Sequence, residues 1–172
     1  HWAIHTRPGT GPFHFLWSEA GASRDDGAPN DRSFALARAL YLRAENSTVY
    51  RSHVSRTADG IQLHAARADI IESLVDDLVY WDKDHNDGIQ MLGRGAHVQI
   101  FRSRIDNRNP QTSCLNLIGD HVRVEACHLA GGGWVIYGGA NANGAKPGAT
   151  RGVVVRDTIF GRIHFPKSGH FG

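Results

Sequence analysis

No run of about 18 apolar residues occurs in the chain, so the sequence offers no helix that could cross a bilayer and membrane insertion is not expected. A basic stripe is missing too. The formal net charge is +2 over 172 residues, and Arg, Asp and His are spread along the length, a pattern that does not point to nucleic acid. Cysteine is scarce: Cys114 and Cys127 are the two present, on different strand types of the repeat described below. A disulfide would need a specific approach of their backbones, so two buried thiols are the simpler expectation. An initiator Met is absent as well. The chain begins at His1, which reads as the start of a processed or excised piece whose export signal, if any, would lie upstream. A copper site on the His1 amine with His5 or His14 is the sharper alternative, and the processing boundary is the simpler one.

What the chain does contain is a repeat. Asp59-Gly60-Ile61-Gln62 is followed by Leu63, and 28 residues later Asp87-Gly88-Ile89-Gln90 is followed by Met91. Weaker copies of the apolar-polar-apolar triplet stand at Ser113-Cys114-Leu115-Asn116-Leu117 and Gly133-Trp134-Val135-Ile136-Tyr137. A second pattern lies between the copies: apolar, two variable residues, a small or polar residue, one variable, apolar. It recurs in five registers anchored at Val49, Ile70, Ile100, Val124 and Val155, with Ser52, Ser73, Ser103, Cys127 and Thr158 at the small position. The anchors are spaced 21, 30, 24 and 31 residues apart. Strand coils tolerate such uneven loops, whereas a change in helix length would rotate an apolar face.

These patterns predict an all-β, right-handed parallel β-helix of about five coils over residues 41–172, preceded by an irregular cap or linker over 1–40. The Gly-, Pro- and Asp-rich stretch from Pro8 to Arg32 reads as loop, while Ser33 to Leu42 reads as the first coil of the stack in preference to a helix. An antiparallel β-sandwich is the alternative. Alternation should turn Val49, Val54, Ile61 and Leu63 inward and leave Tyr50, His53, Gln62 and His64 outside. The small residues should stack as an internal ladder at a tight bend. Five rungs at about 4.8 Å would make a solenoid about 24 Å tall. A stack that short needs covered ends, so the chain is expected to be a fragment of something longer or to join a homo-oligomer or larger assembly.

The chemistry is expected on the long loop between Val75 and Ile89, which carries five carboxylates, one imidazole and two aromatic rings. Asp84, His85 and Asp87, with Asp59 one coil earlier, are the candidate catalytic groups. Tyr80 and Trp81 could pack on sugar rings, Arg56 and Arg108 could bind acidic groups, and Gln62, Gln90 and Asn116 could line a flat floor with Trp134 near its end. Each has a plainer reading. Asp59 and Asp87 repeat as Asp-Gly pairs, which favours a structural turn; the amides could be a hydrogen-bonded ladder; and the two rings could plug the loop. Ca²⁺ held by Asp82, Asp84 and Asp87 is the metal to consider, with no other cofactor indicated. Scattered histidines such as His53, His97, His121 and His128 ask for no function, and Asn46-Ser47-Thr48 is a glycosylation tripeptide common by chance.

Three ordered segments, His85-Asn86-Asp87-Gly88-Ile89-Gln90, Gln111 to Leu117 and Leu129 to Gly139, resemble a family of right-handed parallel β-helix proteins. That family is found among secreted proteins of actinobacteria and minor tail proteins of their phages, and its members are loosely called pectate-lyase-like. The resemblance covers about residues 40 to 165 and implies an extracellular or virion-surface domain. It would bind a cell-surface polysaccharide and degrade it as a lyase or hydrolase, or else serve as a non-catalytic structural or receptor-binding module of a tail.

Overall fold

The computed structural model describes residues 2–21, 36–64, 67–79, 86–91, 95–110, 112–138, 150–162, 164 and 170–171. Their strands wind in successive coils. The first coil is β1 (Trp2–His5), β2 (His14–Leu16) and β3 (Glu19–Gly21), and the second is β4 (Leu36–Leu42), β5 (Ser47–Tyr50) and β6 (His53–Ser55). The third is β7 (Thr57–Leu63), β8 (Ala68–Ile71) and β9 (Leu74–Asp76); the fourth is β10 (Ile89–Met91), β11 (Gly95–Phe101) and β12 (Arg104–Asn107). The fifth is β13 (Ser113–Leu117), β14 (Gly119–Glu125) and β15 (His128–Gly131). The sixth is β16 (Trp134–Gly138), β17 (Val154–Arg156) and β18 (Ile159–Gly161), after which β19 (His170–Phe171) opens another turn.

Every third strand falls in the same sheet, giving sheet A with seven strands from β1 to β19 and sheets B and C with six each, from β2 to β17 and from β3 to β18. All pairings are parallel. Ile61 lies beside Ile89 and Gln62 beside Gln90 in parallel register. The chain is a parallel β-helix with three faces, and the antiparallel sandwich is ruled out. Right-handed winding is the sense that twisted strands of L-residues favour in such crossovers.

The core is a set of stacked apolar columns, each supplied by one residue per coil. Leu40, Ile61, Ile89 and Leu115 fill one on sheet A; Val49, Ile70, Ile100 and Val124 fill sheet B; Val54, Val75, Ile105 and Leu129 fill sheet C. None of these is more than 1% exposed. The repeated Asp-Gly-Ile follows from this packing. A Cβ on Gly60 would lie 2.4 Å from the Gly88 carbonyl oxygen, and one on Gly88 would lie 2.4 Å from Ile105 Cγ2, so neither position admits a side chain without a shift.

One expectation is sharpened and one needs correcting. The tight bend expected at the small residues divides the second repeated pattern into two strands in different sheets, because a residue with φ between 47° and 54° precedes the small residue in each described coil: Trp17, Arg51, Glu72, Arg102, Ala126 and Asp157. The small residue that follows secures the corner. Backbone N–H groups of Ser18, Ser52 and Ser73 donate to the hydroxyls of Ser52, Ser73 and Ser103 one coil on, at 3.3, 3.2 and 3.1 Å. The other difference concerns residues 1–40, where the described parts form strands of all three sheets instead of an irregular cap. Phe15, Ser18 and Ala20 occupy the repeat's own positions, concealed among the surrounding Gly and Pro.

Candidate functional site

The sequence's first candidates divide into three groups. Asp84, His85, Tyr80, Trp81 and Asp82 lie outside the described residues. Asp59, Asp87, Gln62, Gln90 and Asn116 are brought together on sheet A, as a polar network. Asp87 is 4% exposed, and each of its oxygens accepts two bonds: Oδ1 from the Ser113 N–H at 3.0 Å and the Ser113 hydroxyl at 2.5 Å, Oδ2 from Gln90 Nε2 at 3.1 Å and Asn116 Nδ2 at 3.0 Å. An ionised carboxylate has about four acceptor sites, and all are used. Asp59 repeats the motif one coil earlier, its Oδ1 accepting from the Asp87 N–H at 3.1 Å. Gln62 donates to Gln90. These groups tie coil to coil, and Asp87 keeps no lone pair for a substrate or for Ca²⁺. Among the described residues, no group of three His, Cys, Asp or Glu side chains could hold a metal ion.

Arg56 and Arg108 form the third group, at the turn from sheet C to sheet A. Asp77 links them: its carbonyl accepts from the Arg56 N–H at 3.1 Å, and its carboxylate lies 3.3 Å from Arg108 NH2. The Arg56 guanidinium itself donates to Glu19 at 2.9 Å. Trp134 stands apart, 37% exposed on sheet A, with its ring 6.2 Å from that of Tyr137.

The outer face of sheet C is charged but largely paired within itself. His53 Nε2 is 2.7 Å from Asp76, and Arg104 donates twice to Asp106 Oδ2, at 2.9 and 2.7 Å. Both cysteines are free and buried, as expected, and burial pushes their thiols up.

The outer face of sheet B offers more. Strand alternation that turns Val49, Ile70, Ile100 and Val124 inward turns the residues beside them out. One outward column reads Thr48, Asp69, Gln99, Arg123 and Val154; the other reads Tyr50, Ile71, Phe101, Glu125 and Arg156. A groove of about 460 Å³ runs along the first, lined by Asp69, His97, Gln99, His121, Arg123 and Gly152 among others. His97 and His121 lie within β11 and β14, near the start of each strand, with φ of 59° and 56°, and their rings stack at 4.9 Å and 10°. Loss of solvent holds the Asp69 carboxyl above the usual carboxylate range.

Along the corner with sheet C runs an aromatic and ionic ridge. Trp17 is 66% exposed, its ring lies 5.7 Å from Tyr50, and the Arg51 guanidinium is 4.6 Å from the Trp17 ring centre. Glu72 lies between Arg51 and Arg102, at 2.5 and 3.7 Å, and the hydrogen bond from Arg51 is the main reason its carboxyl sits below the ordinary value. Glu125 lies between Arg156 and Arg123 in the same way, its carboxyl lowered chiefly by Arg156.

The chain matches no family model, no curated protein and no solved structure. Function therefore rests on the geometry. The groove was legible in part: His97 and His121 both stand three residues before a repeat anchor, as do Asn46, Arg67 and Gly152. Counting outward from the anchors would have lined up Asp69, Gln99 and Arg123. The long acidic loop is the stronger signal along the chain, because five carboxylates within one loop stand out more than a column with one group per coil.

Proposed function

We propose that the protein is a glycan-binding parallel β-helix that holds a polysaccharide against the outer face of sheet B. The groove carries this reading: it sets a carboxyl, an amide and a guanidinium one coil apart at Asp69, Gln99 and Arg123, and earlier coils of the stack add half-buried Tyr50 on sheet B and exposed Trp17 at its corner with sheet C. Polar groups at regular spacing suit the hydroxyls of a chain of sugars, and aromatic faces suit the apolar faces of the rings. The family resemblance of the three ordered segments supports an extracellular or virion-surface setting for such a ligand. Affinity electrophoresis against a panel of bacterial envelope polysaccharides tests the proposal. Retardation by at least one polymer is expected, weakened about tenfold in a Gln99→Ala, Trp17→Ala double variant through loss of one central polar contact and one aromatic contact. Migration unaltered by every polymer would remove the reading.

Asp69 favours a second, catalytic version. A carboxyl raised by desolvation at a groove is shifted in the direction that a general acid requires. In this version Asp69 protonates the leaving oxygen of a glycosidic bond while a water adds to the anomeric carbon and releases its proton to solvent. Asp69→Asn would then retain the polysaccharide and release no new reducing ends. Equal release by both proteins would leave only the binding module.

A further inference from the structure

Building on the glycan-binding reading, we propose that the sheet B groove takes the carboxylate of an acidic sugar and that binding is coupled to proton uptake by His97 and His121. The two imidazoles are exposed, nearly parallel and 4.9 Å apart at the groove's edge. Histidine is the side chain whose charge ordinarily changes between about pH 5 and 8. Neutral rings stack at this distance without penalty, but a proton on each would set two like charges side by side. An anion seated against them removes that repulsion, so ligand and protons favour one another by linkage.

The surrounding charges support an anion. Arg123 lines the same groove; its contact to Glu125 is 3.3 Å, and Glu125 is also held by Arg156, so the guanidinium keeps donors for a ligand. Arg67 occupies the position before Ala68 that corresponds to His97 one coil later, adding a permanent cation to the histidine column. Asp120, next to His121, lies 3.7 Å from Arg151. Asp69 is the carboxyl that opposes an anion within the groove, and desolvation already favours its neutral form.

The test measures binding of the full chain to a soluble polyuronate, a sulfated polymer and a neutral polysaccharide at about pH 5.5 and about pH 7.5, both above the range in which the polymer's own carboxylates titrate. The polyuronate is expected to bind more tightly at the lower pH, on the order of fivefold or more. Replacing both histidines by Asn, which tolerates positive φ, should bring the ratio between the two pH values to about one. Arg123→Gln should weaken binding at both pH values while the ratio persists, which keeps the proposal open to test if the double variant folds poorly. A ratio near one in the unaltered protein, or a ratio that survives loss of both histidines, overturns the coupling. Preference for the sulfated or the neutral polymer overturns the carboxylate assignment and leaves glycan binding standing. Failure to bind any of the three at either pH, together with silence across the envelope panel, removes both readings.

Discussion

Asp87 shows how a residue that looks reactive in sequence is committed to structure by what surrounds it. Its four accepted hydrogen bonds come from neutral donors, and it is 4% exposed. Asp87→Ala would leave two side-chain amides, a hydroxyl and a backbone N–H buried without their acceptor, and each such group costs about 1–3 kcal/mol. We expect a stability loss of about 3 kcal/mol or more, measured by urea unfolding. Asp87→Asn should cost less, since its carbonyl oxygen can still accept from Ser113 while its NH₂ group faces donors. A loss no larger than that of an exposed substitution would mean the network does not hold the coils together. Gly88→Ala belongs beside it: the added methyl would press on Ile105 Cγ2 and the Cys114 carbonyl, and overpacking of this kind costs about 1–3 kcal/mol.

At the level of the coil, the corner between sheets B and C imposes a left-handed backbone on residues chosen for other reasons. A non-glycine residue there costs about 1–2 kcal/mol, and the six corner positions hold Trp17, Arg51, Glu72, Arg102, Ala126 and Asp157. Arg51 and Glu72 offset the strain by pairing across coils, and Arg51 also covers the Trp17 and Tyr50 rings. Ala126 is exposed and has only a methyl to offer. Ala126→Gly should therefore raise stability by about 0.5–1 kcal/mol, because relief of strain exceeds the added freedom of the unfolded chain. Arg51→Gly should gain nothing, since the relief is offset by the lost pair and ring contacts. Thermal unfolding of the two variants separates the cases, and a destabilised Ala126→Gly would show that the corner is not strained.

Stability along the described stack is uneven and sensitive to acid. Val155 continues the column of Val124 but is 38% exposed, against 0% for Val124. Val124→Asp should abolish cooperative folding, whereas Val155→Asp should cost markedly less, because its carboxylate can reach water. Equal losses would mean that the last described coil is as dry as the middle ones. The pH response has a definite sign. Burial lowers both His64 and His164, with Arg43 and Arg38 acting in the same direction on the first and Asp106 opposing on the second. A histidine whose folded value lies below its unfolded one is bound by more protons in the unfolded chain. Its contribution is complete above the ordinary value of 6.5 and is lost as pH falls below it. The urea midpoint should accordingly fall from about pH 7.5 to about pH 5.5, and Gln at both positions should flatten that slope. A midpoint that rises on acidification would contradict the assignment.

The sequence by itself determined the period, the parallel coil and the inward columns, because a strand's side chains alternate with a period of two and stacked coils must repeat apolar residues at like positions. Ile61 beside Ile89 and the ladder from Ser52 to Thr158 were legible for that reason. It placed a bend near Ser52 but did not assign β5 and β6 to different sheets, since the backbone angle at Arg51 is fixed by the bonds of neighbouring coils and not by arginine's own preference. Nor did it decide among the polar residues. Asp59 and Asp87 carry the same chemistry on paper as Asp69. Only the fold surrounds the first two with donors from adjacent coils and sets the third in an open groove beside His97 and His121. A carboxylate's role is decided by which groups reach it across the stack, and those groups lie 20 to 30 residues away in the chain.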